Sequence, residues 1–163
     1  MDLLKNECPT DWTVKIAERQ NSKRQRQRVS KGVWMITTKR LFLIPWHASD
    51  ADELYELAKD PEIGPLCGWE PHKTLEDSKQ VLANVLSDKS CYAVKDMKTG
   101  HVIGSMSLNF EEISDLKDPS KQLHQAEIGY WIGRPYWGQG LAPEGVQALT
   151  SYAFEEHGVD QVI

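Results

Sequence analysis

The stretch of this sequence best suited to chemistry is Tyr136-Trp137-Gly138-Gln139-Gly140-Leu141-Ala142-Pro143-Glu144, set between a strand-like and a helix-like segment. A turn of that kind leaves several backbone N–H groups at the helix start without helical partners. Those donors and the positive end of the helix dipole form a site for a phosphate or diphosphate. Gly138 and Gly140 remove Cβ atoms, so such a group can approach the main chain, and Ala142 is small where the helix leaves the sheet. Two other phosphate patterns fail. There is no Gly-Lys-Ser/Thr, and Pro143 stands where a GxGxxG motif needs its third glycine. Alone, a Gly-x-Gly turn before a helix fits a tight structural turn equally well.

Other reactive side chains offer less. His47, His72, His101, His124 and His157 show no ligand spacing, so no metal is expected. Cys8, Cys67 and Cys91 cannot all pair and contain no CxxC, which argues against a disulfide scaffold or a cysteine zinc site and for a reducing, cytoplasmic setting. Cys67 and Cys91 read as bystander thiols. Trp69 and His72 make an aromatic loop around Pro71, in which ordinary packing of Trp69 accounts for the pattern. Glu144, in a first helical turn, suits the dipole there.

The elements that must position the turn follow from periodicity. Residues 40–46, apolar and ended by Pro45, read as a first strand. Ser49, three residues before Asp52, suggests a helix start, with Ala51, Leu54, Tyr55 and Ala58 at helical spacing behind it. Thr74 with Asp77 suggests a second cap, followed by the stripe Val81, Leu82, Val85, Leu86. Residues 91–95 form a strand, and 97–100 a turn. The next strand alternates with Val102, Gly104, Met106, Leu108 and Phe110 on one side and His101, Ser105, Ser107 and Asn109 on the other. Residues 111–122 read as an exposed loop and 127–133 as a fourth strand. Pro143 begins a helix lined by Val146, Leu149, Ala153 and Phe154 and stopped by Gly158, and residues 159–163 start a further strand. The expected class is α/β (α+β): a mixed, mostly antiparallel central sheet flanked by helices.

Composition bounds the rest. The chain has 163 residues, 40% apolar and 26% charged, as one globular domain would. Its longest uninterrupted apolar runs, residues 41–44 among them, are too short to span a bilayer, and Met1-Asp2-Leu3-Leu4-Lys5 does not open a signal peptide. No membrane partner is expected. Residues 1–34 hold eight basic and four acidic side chains, whereas the other 129 residues hold 11 and 20. That split sets a boundary near residue 34, with residues 1–34 expected as a flexible basic tail and 35–163 as the domain. The tail is polar, with little to bury, and no aromatic interleaves its charges, so a nucleic-acid partner is not expected.

Several segments resemble the GNAT superfamily of acetyl-CoA-dependent N-acetyltransferases, and most closely its RimJ/RimL-like branch of ribosomal-protein alanine N-acetyltransferases. They are Thr38-Lys39-Arg40-Leu41-Phe42-Leu43, Ile103-Gly104-Ser105, residues 126–133, residues 136–144, and Tyr152-Ala153-Phe154. The general Gln/Arg-x-x-Gly-x-Gly/Ala signature falls on Trp137, Gly140 and Ala142, with Trp137 a departure that a site working through backbone amides tolerates.

The resemblance implies acetyl-CoA as co-substrate, with no metal. The backbone of Trp137, Gly138, Gln139, Gly140, Leu141 and Ala142 would hold its diphosphate. Tyr130, Trp131 and Ile132 would pair through their main chain with the pantetheine arm, which can add to an open strand edge as a peptide does. Acetyl transfer to a primary amine needs the amine proton removed, and Glu127 is the candidate base. The acceptor would be a small-molecule or peptide amine, such as a protein N-terminus, and the net negative domain favours a cationic one. The family continues past its fifth strand with a helix and closing strands that this sequence lacks. The domain is therefore expected to be incomplete at its C-terminus and to carry no assignable general acid. Completion of the sheet by a second copy and a catalytically inactive CoA-binding or interaction module are the alternatives.

Overall fold

The computed structural model describes residues 26–30 and 33–163. Expectations for residues 1–25, which are most of the basic tail and include Cys8, lie outside the described residues. Seven strands form one sheet in chain order: β1 (Arg26–Ser30), β2 (Val33–Thr37), β3 (Leu41–Pro45), β4 (Cys91–Asp96), β5 (Val102–Ser114), β6 (Gln122–Ile132) and β7 (Gln161–Val162). All neighbours are antiparallel except β6 and β7, which are parallel and joined through helix α3 (Leu141–His157). Helices α1 (Ala51–Ala58) and α2 (Leu75–Val81) lie between β3 and β4 in the chain. The mixed, mostly antiparallel sheet expected from periodicity is thus the observed one. The boundary near residue 34 is crossed by the β1–β2 hairpin, so the expected tail is strand over residues 26–30. Backbone pairing there needs no apolar side chain, which is why composition did not signal it.

Two apolar layers sandwich the sheet. Leu41, Leu43, Met106, Leu108, Leu149 and Ala153 pack between it and α3, while Trp46, Leu54, Ala58, Leu82 and Ala93 pack between its other face and α1/α2. Each fully buried leucine contributes about 1.5–3 kcal/mol of transfer free energy, so these layers fix where both ends of α3 lie.

Local signals held in part. Thr74 and Asp77 cap α2 reciprocally: the Thr74 N–H donates to Asp77 Oδ2 at 2.8 Å, and the Asp77 N–H donates to Thr74 Oγ1 at 3.2 Å. Before α1 the start falls at His47, whose N–H donates to Asp50 Oδ2 at 2.9 Å, rather than at Ser49. After Val81 the helix widens to a π turn over Leu82–Leu86, which shifts the side-chain phase and leaves Val85 exposed outside its expected stripe. The expected loop over 111–122 narrows to 115–121, because β5 and β6 pair out to Ser114 and Gln122. In β5 the register with β4 shifts between Val94 and Lys95, so Val102 joins the α1/α2 layer and Ile103 the α3 layer. A bulge sets two residues against one and breaks the alternation.

At Gly104, a Cβ would press into the carbonyl oxygen of Trp131 and come within 3.0 Å of the Ile132 Cα. Those are backbone atoms and cannot turn aside. Gly104→Ala is therefore expected to destabilise the chain by about 2–3 kcal/mol, at the upper end of overpacking costs, read from the midpoint of denaturant unfolding. An unchanged midpoint would mean that β5 and β6 are more loosely apposed than the structure has them.

Candidate functional site

Helix α3 begins at Leu141 with Gly140 as N-cap, two residues earlier than Pro143 suggested. Burial of Leu141 in the α3 layer extends the helix N-terminally, and Pro143 is accommodated in the first turn, where no helical acceptor is required. No side chain caps this terminus. Among the described residues, the N–H groups of Gly138, Gln139, Gly140, Leu141 and Ala142 have no hydrogen-bond acceptor, and residues 138–140 are exposed. Gly138 and Gly140 sit at φ of 72° and 71°, a left-handed region that side chains strain. The loop therefore presents successive unengaged amides at the positive end of a 17-residue helix, an arrangement suited to a di-anion.

The back of the loop is held by a cluster of Thr38, Arg40 and Glu144. The Arg40 guanidinium donates to the Gln139 carbonyl at 2.9 Å (Nη1) and the Gly140 carbonyl at 3.3 Å (Nη2), and to Glu144 Oε2 at 2.7 Å (Nε). Glu144 Oε1 accepts from Thr38 Oγ1 at 2.6 Å and from the Arg40 backbone N–H at 2.9 Å. Burial pushes the Glu144 carboxyl up, but the hydrogen bonds from Thr38 and Arg40 and the charge of Arg40 outweigh it and hold the group below its usual range. Glu144, expected to serve the helix dipole, is thus chiefly a partner of Arg40. The two lie 104 positions apart, so no local signal could pair them.

Trp137 closes the turn from the other side: its indole Nε1–H donates to the Ile132 carbonyl at 2.6 Å. The departure from Gln/Arg at this position is thereby given a structural role at the end of β6. Along β6, Ile128 donates its N–H to the Ile163 carbonyl and Ala126 accepts from the Ile163 N–H, whereas Gly133 donates to Ile103 near β5. By the alternation of a ladder, the main chain of Tyr130 and Ile132 is on the edge away from β5 and that of Trp131 faces β5. Of the three residues expected to pair with an extended arm, Tyr130 is on the outward edge. The Ile132 carbonyl is already used by Trp137, and Trp131 faces inward through its backbone.

The side chain of Trp131 belongs to the α1/α2 face, where its ring meets that of Trp69 edge-on at 5.9 Å, and Trp69 lies 5.4 Å from His72. His72 Nδ1 is 2.7 Å from the Oγ of buried Ser78, and burial lowers the histidine's proton affinity, favouring the neutral ring. Glu127 is exposed on the same face four residues before Trp131, about 13 Å along the strand, opposite Asn109 in β5. Gly129 stands between them, and a Cβ there would come within 2.8 Å of Ser107 Oγ, so the floor from Glu127 to Trp131 is shallow. A carboxylate, a bare strip of sheet and an aromatic wall thus lie side by side. Burial raises the Cys67 and Cys91 thiols, against a nucleophilic thiolate at neutral pH. No group of three or more His, Cys, Asp or Glu able to hold a metal occurs among the described residues, and no described helix is long and apolar enough to cross a membrane.

Comparison with known proteins gives the family and the fold. A family profile described as an acetyltransferase (GNAT) domain fits residues 40–163. An uncharacterized N-acetyltransferase, p20, of Bacillus licheniformis is 28% identical over 131 residues, covering 77% of this chain and 68% of that protein. The FsC-acetyl coenzyme A-N(2)-transacetylase of Aspergillus fumigatus is also 28% identical over 131 residues, covering 77% of this chain. The chain spans only 55% of that relative's length. A solved structure described as a putative ribosomal-protein-serine acetyltransferase from Vibrio cholerae superposes with a TM-score of 0.59 at 22% identity, covering 77% of this chain and 69% of that one, a likeness of fold.

Proposed function

Because the chain belongs to the GNAT acetyltransferase family, we propose that it transfers an acetyl group from acetyl-CoA to a primary amine, in the manner of the RimJ/RimL-like branch. The observation that carries this reading is the run of unengaged amides in residues 138–142 at the start of α3. They fit a diphosphate, which needs donors and positive potential more than it needs a matching side chain. Tyr130, on the outward edge of β6, would supply main-chain pairing for the pantetheine arm, with Ile132 contributing its N–H side.

With the donor so placed, the acetyl carbonyl would come to the strip of β6 between Trp131 and Glu127. Glu127, directly or through a water, takes the proton from the attacking amine as the C–N bond forms. The tetrahedral centre then collapses and expels the CoA thiolate. General-base assistance of this kind is worth about 10²–10⁴-fold. Trp69, Trp131 and His72 would wall the acceptor side, and the net negative domain favours an acceptor that arrives as a cation. A peptide N-terminus satisfies both conditions, and the cysteine usage suits a cytoplasmic setting.

The test is release of free thiol from acetyl-CoA, measured with a panel of peptide N-termini and small amines. Turnover with at least one acceptor, saturable in acetyl-CoA, is the expected result. Tight CoA binding with no thiol release across the panel would replace the transferase with an inactive CoA-binding module.

A further inference from the structure

We propose that Arg40 is the positioning residue for the diphosphate loop, acting through the loop's carbonyls rather than by touching the ligand. The proposal rests on the reading of residues 138–142 as the diphosphate site of acetyl-CoA. The reason is peptide geometry. In a trans peptide the C=O and the following N–H point in opposite directions, and no cis peptide occurs among the described residues. Pinning the Gln139 carbonyl therefore aims the Gly140 N–H away from Arg40, and pinning the Gly140 carbonyl aims the Leu141 N–H the same way. Gly138 and Gly140 place few side-chain restraints on this loop. The Gly140 carbonyl also accepts the Glu144 N–H at 3.4 Å as the first bond of α3, whereas the Gln139 carbonyl has its donor among the described residues in Arg40. It is therefore above all the Gly140 N–H whose direction depends on that side chain.

The rest of the cluster keeps the fork in place. Glu144 takes Nε and Nη2 of Arg40 at 2.7 Å each, and Thr38 and the Arg40 backbone N–H fix the Glu144 carboxylate in turn. Arg40 also cancels the one negative side chain in the first turn of α3, which would otherwise repel an anion there. A planar fork with donors in fixed directions can serve two carbonyls and a carboxylate together. A lysine ammonium at this position keeps the charge but not that geometry. Residues 38–43, whose resemblance to the family had no assigned role, thus have one.

The experiment compares two probes, coenzyme A and pantetheine, titrated by NMR against the full chain, its Arg40→Ala variant and its Arg40→Lys variant. Wild type is expected to bind coenzyme A at least about tenfold more tightly than pantetheine, which lacks the diphosphate. Both variants are expected to lose about tenfold in affinity for coenzyme A, the scale of one charge-assisted contact network, with pantetheine unchanged within about twofold. Equal losses for both probes would make Arg40 merely structural, and wild-type affinity in Arg40→Lys would reduce its role to charge; either overturns the proposal. Should Arg40→Ala fail to fold, Arg40→Lys, which keeps the ion pair with Glu144, decides it. Equal binding of both probes by wild type would overturn the diphosphate reading itself, and the proposal with it, before any variant is considered.

Discussion

Replacing Glu127 with glutamine is expected to lower the acetyl-transfer rate by about 10²–10⁴-fold at neutral pH while leaving coenzyme A affinity within about twofold. Glutamine keeps the size of the side chain and its ability to hold a water, but it cannot take a proton. Glu127 is exposed on the face carrying Trp131 and Trp69, away from the loop before α3, which is why binding and turnover should separate. The pH profile gives a readout that loss of packing would not. A peptide α-amine loses its own proton near pH 8, so the deficit of the variant should narrow as pH rises through that range. A wild-type rate at neutral pH would remove Glu127 from the mechanism.

Gly140→Val is expected to weaken coenzyme A binding by at least about tenfold. The residue caps α3 at φ 71°, where a β-branched side chain costs about 1–3 kcal/mol, and relieving that strain means rotating the amides the diphosphate needs. The new Cβ would also stand 3.8 Å from Arg40 Nη2, against the group that holds the loop from behind. Gly158 supplies the control. It ends the same helix at φ 60° with nothing within 4 Å of a built Cβ, so Gly158→Val should lose similar stability and no affinity. Calorimetric titration with coenzyme A on both variants separates strain from site. Equal affinities in the two would count against residues 138–142 as the diphosphate site.

How far the site could be read from the chain depended on how local each signal was. The Gly138-Gln139-Gly140 turn, the capping pair Thr74 and Asp77, and the α3 stripe around Leu149 and Ala153 depend on neighbours within a few positions, and each was legible. The opposite faces of Glu127 and Ile128 follow from strand alternation alone. The alternation of β5 was legible only up to its bulge. Beyond it, the placement of Val102 and Ile103 depends on how β4 pairs, which no single strand encodes.

The sequence by itself determined the sheet-and-helix class, the order of the elements from β3 onward and the position of the glycine loop before α3, because periodicity and turn chemistry are short-range properties of the chain. Only the tertiary structure decided that Arg40 braces that loop, that Trp137 takes the Ile132 carbonyl, and that Trp131 faces Trp69 rather than the β6 edge. Apart from the Trp137 bond, these are meetings of residues some 60 to 100 positions apart, and they exist only once the two apolar layers have closed on the sheet. Directional polar contacts are specified by that closure, since a guanidinium can choose its carbonyls only after packing has brought them within reach.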